Sequence, residues 1–189
     1  MFGIQIGGGK AMKLLKKDHD DVKELFDRFE EAKTGAEKTR IAREACRQLT
    51  VHARVEEELF YPALRLRLSD GSLLDEADEE HHEQKILIAE LGLMSGSEPN
   101  FAAKFLVLSE NVRHHIAEEE YEIFPAAKRS SIDFDALGDR MEARKAELMR
   151  TGVPPGRESD MVRSFSPMVE SPSRRAMKTL VPPDRAGRR

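Results

Sequence analysis

Two segments of the chain carry the same arrangement of potential metal ligands. In the first, Glu56 follows His52 by four residues, and in the second, Glu119 follows His115 by four residues. A proline comes six residues after each glutamate, directly preceded by an aromatic residue, and the two copies lie 63 residues apart. On a helix, residues i and i+4 share a face, so each copy directs one imidazole and one carboxylate toward a common point. Each copy could therefore supply half of a transition-metal site.

Two further histidines could complete such a site. His19 and His81 fall on the apolar stripes of two other predicted helices. Burying four histidines and two glutamates would be costly without a cation, because buried charges are normally paired or coordinated. The predicted metal ligands are His19, His52, Glu56, His81, His115 and Glu119.

The second copy offers a choice between adjacent histidines. His114 and His115 are both followed, four residues later, by a glutamate. The interval from Glu119 to the next proline repeats the interval in the first copy, so we choose His115 and Glu119 over His114 and Glu118. The glutamates beside the chosen carboxylates are interpreted as surface charge; these are Glu57, Glu58, Glu118 and Glu120.

The third predicted helix also offers two adjacent histidines. An equal 63-residue spacing from His19 favours His82. The apolar residues six, seven and ten positions downstream favour His81, because they repeat the pattern that follows His19. Loop lengths vary more readily than helix faces, so we predict that His81 is the ligand.

The donor types indicate which metal would suit the site. Four imidazoles and two carboxylates without a thiolate suit iron or manganese, and carboxylates that can bridge suit two ions. Zinc is disfavoured, because structural zinc sites have four ligands and usually include cysteine. The single cysteine, Cys46, excludes an intramolecular disulfide and fits a reducing cytoplasm.

Apolar residues recur at helical spacing over the stretches that would position these ligands. We predict helices over about residues 11–34, 35–68, 73–94 and 100–128, and a weaker fifth helix over residues 134–149. Thr34, with Glu37 three residues later, is typical of a capping box, and Pro62 predicts a kink or local break. Long amphipathic helices with short connections predict an all-α, antiparallel up-down four-helix bundle.

Both ends of the chain differ from the predicted bundle. Residues 1–10 are glycine-rich, which predicts a flexible lead-in. We predict that residues 11–150 form the bundle domain, with residues 11–128 as its core. Residues 151–189 combine prolines with scattered arginines and serines and lack any lasting periodicity. Such a segment buries too little apolar surface to order itself, so it is predicted to be disordered.

Composition and charge limit the class of protein. Of the 189 residues, 39% are hydrophobic and 35% are charged, which is typical of a helical protein. No apolar run approaches the roughly 18 residues of a membrane span, and the start does not resemble a secretory signal. Residues 151–189 carry a net charge of +4. The rest of the chain therefore carries −8, because the net charge of the whole chain is −4. We therefore predict a cytoplasmic protein without a nucleic-acid or membrane partner, whose basic tail could contact an acidic protein partner.

Together these motifs resemble those of the hemerythrin-like (HHE cation-binding) domains. The resemblance covers about residues 11–128. The motifs that carry it are Asp18-His19, His52-x3-Glu56 with Phe60 and Pro62, Glu80-His81-His82-Glu83, and His115-x3-Glu119 with Phe124 and Pro125. The family implies a four-helix bundle around two iron ions, joined by an oxo or hydroxo bridge. It also implies that the glutamates bridge the ions and the histidines complete the coordination of each.

The resemblance implies a non-haem di-iron protein that binds oxygen, nitric oxide or peroxide for sensing, storage or redox protection. Oxygen-carrying hemerythrins have a further histidine four residues after the third-helix ligand, where this chain has Lys85, or Ile86 if His82 is the ligand. That loss leaves a more open iron, or one filled by water, tyrosine or another carboxylate. Two alternatives therefore stay open: a di-iron oxidase or catalase-like peroxidase, and an iron-responsive regulatory module.

Overall fold

The computed structural model describes residues 9–68 and 71–165 of the chain. Within these ranges every regular element is a helix and no strand is present. The α-helices are α1 (Gly9–Glu31), α2 (Gly35–Val55), α3 (Tyr61–Arg65), α4 (Ser72–Leu93), α5 (Phe101–Glu118), α6 (Phe124–Lys128), α7 (Phe134–Thr151) and α8 (Arg157–Phe165).

Two of the long helices contain a π-helical turn. α2 continues into α3 through the π-turn Glu56–Phe60, and α5 continues into α6 through the π-turn Glu119–Ile123. In each case the amide after the turn donates to the carbonyl of the turn's glutamate, five residues back. Where the sequence predicted a kink or break at Pro62, the structure has a π-turn that ends two residues before it.

The four long helical units form the predicted antiparallel up-down bundle. α1 and α4 run from one apolar cluster to the other, and α2–α3 and α5–α6 run in the opposite direction. One cluster contains Leu15, Phe60 and Phe124, and the other contains Phe29 and Phe105, whose ring centroids lie 4.3 Å apart. On α1 and α4 the predicted ligands fall between the two clusters, and on α2 and α5 they lie close to where one cluster gives way to the other. They form a polar layer across the middle of an apolar core.

Side-chain caps help to fix where the helices begin. Thr34 Oγ1 accepts a hydrogen bond from the Glu37 amide at 3.2 Å, which confirms the N-cap half of the predicted capping box. α1 begins at Gly9, inside the predicted flexible lead-in, and the Lys10 amide donates to Asp135 Oδ1 at 2.8 Å. This contact with α7 supplies a partner for an N–H group that the helix itself leaves unpaired. Residues 1–8 lie outside the described residues.

α7 is the predicted fifth helix, and it packs against both α1 and α2. Asp133 Oδ1 caps its first turn by accepting from the amides of Asp135 and Ala136. A Cβ atom on Gly138 would lie 2.5 Å from the Ala11 backbone nitrogen, so glycine permits the close approach of α7 to α1. Lys145 and Met149, farther along α7, reach the region of the predicted ligands.

α8 corrects part of the prediction for the tail. The helix Arg157–Phe165 forms within the range that was predicted to be disordered, and it packs against α4. Glu158 Oε1 lies 3.1 Å from His82 Nδ1, and Val153 packs against an apolar cluster, so local contacts order this part of the tail. Residues 166–189 lie outside the described residues. Among the helices that the structure describes, none is long and apolar enough to cross a membrane.

Candidate metal centre

The bundle brings all six predicted ligands into its polar layer. α1 supplies His19, α2 supplies His52, α4 supplies His81 and α5 supplies His115. Glu56 and Glu119 are the first residues of the two π-turns, and both are fully buried. Because π-turns are rare and often occur at functional sites, their position at the two glutamates is a structural signature of this layer.

The donor atoms lie within contact distance of one another. His19 Nε2 is 3.1 Å from Glu119 Oε2, and His52 Nε2 is 3.2 Å from Glu56 Oε2. On the other side, His81 Nε2 is 3.5 Å from Glu56 Oε2, and His115 Nε2 is 3.7 Å from Glu119 Oε2. The Nε2 atoms of His81 and His115 lie 3.0 Å apart. Each glutamate thus touches one histidine from each side.

These atoms form two groups that share one carboxylate. His19, His52, Glu56 and Glu119 offer donor atoms within 4.8 Å of one another, and so do Glu56, His81 and His115. Glu56 belongs to both groups, as a carboxylate between two ions would. The spacing is compatible with two adjacent metal ions.

Several buried nitrogen and oxygen atoms in this layer have no hydrogen-bond partner among the described residues. They are His19 Nε2, His52 Nε2, both carboxylate oxygens of Glu56, and Glu119 Oε2. His19 Nε2 and Glu119 Oε2 are 3.1 Å apart, and His52 Nε2 and Glu56 Oε2 are 3.2 Å apart, but neither pair is aligned for a hydrogen bond. Buried polar atoms are normally paired, so a cluster of unpaired nitrogen and oxygen atoms fits a bound cation.

The second ring nitrogen of every histidine meets a carboxylate on a neighbouring helix or turn. His19 Nδ1 lies 3.0 Å from Glu120, and His81 Nδ1 lies 3.1 Å from Glu57. The prediction that these two glutamates are surface charge is therefore wrong. In a bundle each helix faces two neighbours, so a side chain one position away from a ligand can reach the adjacent helix.

The other two histidines have the same kind of partner. His52 Nδ1 lies 3.4 Å from Asp18 Oδ2, and His115 Nδ1 lies 2.7 Å from Glu80 Oε2. Such carboxylates hold the imidazole ring in one orientation and make its free nitrogen a better metal donor. Asp18 and Glu80 each directly precede a predicted ligand, and that adjacency in the sequence is the signal that identifies them.

Lysines neutralise some of these outer carboxylates. Lys145 of α7 pairs with Asp18, and Lys85 of α4 pairs with Glu57. The Lys85 side chain is thereby directed to an outer carboxylate, at the position where oxygen-carrying hemerythrins were expected to have a further histidine. Burial alone would raise the pKa of the Glu57 carboxyl, but hydrogen bonds from His81 and Lys85 lower it below its ordinary value.

The two halves of the layer differ at one equivalent position. Tyr61 follows the first π-turn, is fully buried and donates to Glu119 Oε1 at 2.9 Å. Phe124 follows the second π-turn and stacks on His19, with ring centroids 5.9 Å apart. Burial, with Glu119 and Glu56 nearby, raises the pKa of the Tyr61 hydroxyl well above its ordinary value, so the hydroxyl keeps its proton. Glu119 therefore has a hydrogen-bond donor that Glu56 lacks.

The competing histidines lie outside the layer. The His82 side chain is 47% exposed and pairs with Glu158, whereas His81 is buried at the centre. The His114 side chain is 66% exposed and lies 3.1 Å from Glu118. His114, Glu118 and Glu80 form a third potential cluster, but an exposed acidic group of this kind is common without a metal. The structure thus brings His81 and His115 into the layer and leaves both competitors at the surface.

Opposite charges in the layer shift the pKa values of His52 and Glu119. Burial disfavours a charged imidazole at His52, yet the nearby carboxylates of Glu56 and Asp18 outweigh it and raise its pKa to about 10. Burial likewise opposes ionisation of Glu119, but His19, His115 and His52 hold its pKa far below the ordinary value. A proton on the His52 imidazole therefore balances carboxylate charge in the chain itself, and a metal cation would take its place.

Two cavities adjoin the layer. A cavity of about 120 Å³ is lined by His19, His52 and His115 together with Lys145 and Met149 of α7. A larger cavity of about 570 Å³ lies between α2, α4 and residues 153–159, and His81 forms part of its wall. Both cavities are large enough to hold small molecules.

The sequence of the bundle matches a described family. Residues 10–127 match the family described as Hemerythrin HHE cation binding domain, and this range contains all six predicted ligands. The chain belongs to that family. The predicted resemblance is thereby confirmed, and cation binding is the property that the family description assigns to this four-helix bundle.

Individual relatives agree with the family assignment. The uncharacterized protein Rv2633c of Mycobacterium tuberculosis is 28% identical over 142 residues, which cover 73% of this HHE-domain chain and 86% of that protein. A crystal structure of an HHE cation-binding domain-containing protein, the Rv2633c homolog from Mycobacterium kansasii, is also 28% identical. It has a TM-score of 0.64 and covers 82% of this chain and 98% of that chain.

A third relative is a longer protein. A DNA nickase of Nostoc sp. is 26% identical over 139 residues, which cover 72% of this chain. The aligned part makes up only 39% of that nickase, so the chain spans about two fifths of its length.

Proposed function

We propose that the chain holds two iron ions in the polar layer. His19 and His52 would bind one ion, His81 and His115 would bind the other, and Glu56 and Glu119 would bridge them. The observation that carries this proposal is the convergence of buried donor atoms without hydrogen-bond partners between two apolar clusters. Because a buried charge is normally paired or coordinated, a cation explains these atoms better than packing does.

The donor set favours iron over zinc. Four imidazoles and two carboxylates supply nitrogen and oxygen donors, and Cys46 belongs to neither ligand group. Structural zinc sites normally have four ligands, whereas six donors with shared carboxylates suit a two-ion centre. Carboxylate bridges between paired helices are the usual way in which helical bundles hold two iron or manganese ions.

We propose that this centre binds oxygen, nitric oxide or peroxide for sensing, storage or redox protection. Ferrous iron held by these residues would supply the electrons that oxygen or peroxide can accept. The apolar clusters on both sides exclude bulk water, the outer carboxylates hold the four imidazoles, and Tyr61 holds Glu119 by its hydroxyl. The single cysteine, Cys46, suits the cytoplasm as the compartment for such a protein.

A catalase-like or oxidase activity is the second candidate. The observation that favours it is Lys85, which pairs with Glu57 where an oxygen carrier would place a further histidine ligand. Iron held here would have fewer protein ligands than in an oxygen carrier, which would favour the binding of peroxide. The adjoining cavities would give such a small substrate room beside the histidines.

Two other interpretations receive less support. An iron-responsive regulatory module would depend on the basic tail, and residues 166–189 of that tail lie outside the described residues. DNA cleavage is not part of this proposal, because the chain aligns with 39% of the nickase and carries a net charge of −4.

The decisive experiment measures iron per chain and the visible spectrum. The protein is loaded anaerobically with ferrous iron and then exposed to air. We expect about two irons per chain and new near-ultraviolet to visible bands, as oxidised carboxylate-bridged iron should give. Absence of bound iron in a helical protein would overturn the proposal.

A matched pair of variants tests the assignment of the bridge. Glu119→Ala removes a buried carboxylate that touches His19 and His115, so we expect loss of the new bands and of most bound iron. Glu118→Ala removes a half-buried carboxylate that pairs with the exposed His114 at the same four-residue spacing, and it should change neither. Equal iron content in both variants would contradict the assignment.

A separate measurement distinguishes the two candidate functions. Consumption of peroxide by the iron-loaded wild-type protein would support the catalase-like candidate over a sensor or store.

A further inference from the structure

Gln84 is a buried amide without a hydrogen-bond partner for its side-chain nitrogen. It lies on α4, three residues after His81, and is 5% exposed. Its Nε2 atom has no partner among the described residues. Most other unpartnered buried atoms belong to the six predicted ligands, whereas Gln84 has no place in the proposed coordination. Native proteins rarely leave a buried N–H group unpaired, so this amide needs an explanation.

Gln84 lines the cavity beside the proposed metal centre. The 120 Å³ cavity places its side chain in the same wall as His19, His52 and His115. Apolar residues form much of the remaining wall; they include Val22, Leu49, Val112 and Ile116. A polar group in a mostly apolar cavity fixes the orientation of whatever binds there.

Gln84 also lies where the two cavities approach each other. Leu49, Ala53 and Gln84 line both the 120 Å³ cavity and the 570 Å³ cavity. A small molecule that moves between the cavities would therefore pass the amide. The same side chain can contact a ligand from either side of this boundary.

We propose that the Gln84 amide donates a hydrogen bond to the small exogenous ligand of the metal centre. This inference rests on the proposed function and adds a residue that selects among its ligands. A ligand that carries negative charge at its free end, such as peroxide or azide, would accept from Nε2. The favoured ligands are therefore small anions whose terminal atom accepts a hydrogen bond, because a charged acceptor strengthens the bond.

Gln48 provides a matched control in the same cavity. It is also a glutamine that lines the 120 Å³ cavity, but its Nε2 already donates to Glu44 Oε1 at 2.8 Å. Replacing Gln48 by leucine changes the cavity wall without removing a free donor. Replacing Gln84 by leucine removes the free donor.

The test is an azide titration of the iron-loaded, air-oxidised protein, followed by its visible spectrum. Azide should bind at least about tenfold more weakly to Gln84→Leu than to the wild-type chain, as expected for loss of one hydrogen bond to a charged ligand. Gln84→Met keeps a long unbranched side chain without the donor and should show the same loss. Gln48→Leu should bind azide within about twofold of the wild-type chain.

A second measurement does not depend on iron. The thermal midpoint of the metal-free Gln84→Leu protein should equal or exceed that of the metal-free wild type, because an unpaired buried N–H group has been removed. A clear drop would show that Gln84 supports the bundle through its amide, and it would overturn the proposed role.

The outcomes separate this inference from the proposed function. If wild-type protein binds iron and azide, and both Gln84 variants bind azide equally well, the role of Gln84 falls and the di-iron centre stands. If either Gln84 variant loses its iron, the amide acts on the ligands themselves and the proposal is overturned. If wild-type protein binds no iron, both proposals fall together.

Discussion

Each histidine of the polar layer has one nitrogen facing the Glu56–Glu119 pair and the other facing an outer carboxylate. A metal ion requires the inner nitrogen to be free of a proton, while the outer nitrogen can keep one and donate it to its carboxylate. Metal binding here would therefore displace a proton from any imidazole whose inner nitrogen carries one.

His52 makes this linkage measurable. Its pKa is about 10 before any ion binds, so at pH 7.5 the imidazole carries a proton that the metal must displace. We expect the addition of ferrous iron to the metal-free protein under anaerobic conditions to release protons. A pH indicator in weakly buffered solution would detect them. A His52→Ala variant should release fewer, and no release from the wild-type chain would contradict the linkage.

The same shift affects the stability of the metal-free chain. A pKa raised from 6.5 to about 10 means that protonated His52 stabilises the fold fully below about pH 6.5 and loses this effect as pH rises through 10. We expect the thermal midpoint of the metal-free protein to fall between about pH 7 and pH 10. A midpoint that stays level over this range would contradict the charge balance.

Tyr61 allows a second test at the residue scale. Tyr61→Phe removes the donor to Glu119 Oε1 and leaves a buried carboxylate oxygen unpaired. We expect the metal-free protein to lose about 1–3 kcal/mol in its free energy of unfolding. Tyr121→Phe makes the same chemical change at a side chain that is 70% exposed, and it should have no measurable effect. Equal stability of both variants in urea unfolding would show that the Tyr61 hydrogen bond contributes nothing.

The sequence predicts much of this layer because ligand spacing is a strong signal. His-x3-Glu at 63-residue spacing identifies two helices, and the apolar register favours His81, which the structure places in the layer. Glu57 and Glu120 were missed because helical periodicity describes one face of one helix. Their role depends on which helix packs beside them, and a single sequence does not contain that information.

At the scale of single elements, the two π-turns determine where the glutamates lie. Each begins at a glutamate and ends two residues before a proline, so the two π-turns have the same position relative to the proline. Proline lacks an N–H group and clashes with the carbonyl four residues earlier, so a regular α-helix cannot pass through it unchanged. A π-turn inserts one residue and moves that carbonyl away, which keeps the helix continuous.

Replacing the prolines tests this explanation. Pro62→Ala and Pro125→Ala would permit a regular α-helical turn and so rotate Glu56 or Glu119 relative to the histidines. We expect metal affinity to fall by about tenfold or more, while the metal-free protein stays equally or more stable. Iron per chain and the metal-free thermal midpoint measure the two effects. Unchanged affinity in both variants would show that the prolines do not set the π-turns.

The helix boundaries were largely predictable, but the π-turns were not. Apolar periodicity and the Thr34 cap locate the long helices to within a few residues. A π-turn adds a single residue to one turn, which is too small a change to alter an apolar pattern. α8 was missed for another reason: its contacts with α4, including Glu158 to His82, are tertiary.

For the whole molecule, the polar layer lies between two apolar clusters and joins all four long helical units. A metal centre there would connect helices that are far apart in sequence. A ligand that binds only the folded state stabilises it, by about 4 kcal/mol when its concentration is 1,000 times Kd. We expect metal loading to raise the thermal midpoint of the wild-type chain, measured by circular dichroism. Glu119→Ala should show little or no rise, and a rise of equal size would contradict the proposed ligand set.

α7 has a consequence for how this kind of protein can diversify. The helix lies outside the matched residues 10–127, yet Lys145 pairs with the carboxylate behind His52, and Met149 lines the cavity beside the layer. Evolution can therefore alter the surroundings of the six predicted ligands by changing an appended helix, while those six residues stay in place. Chains with the same six ligands need not share a physiological role, and α7 is where their divergence should first be sought.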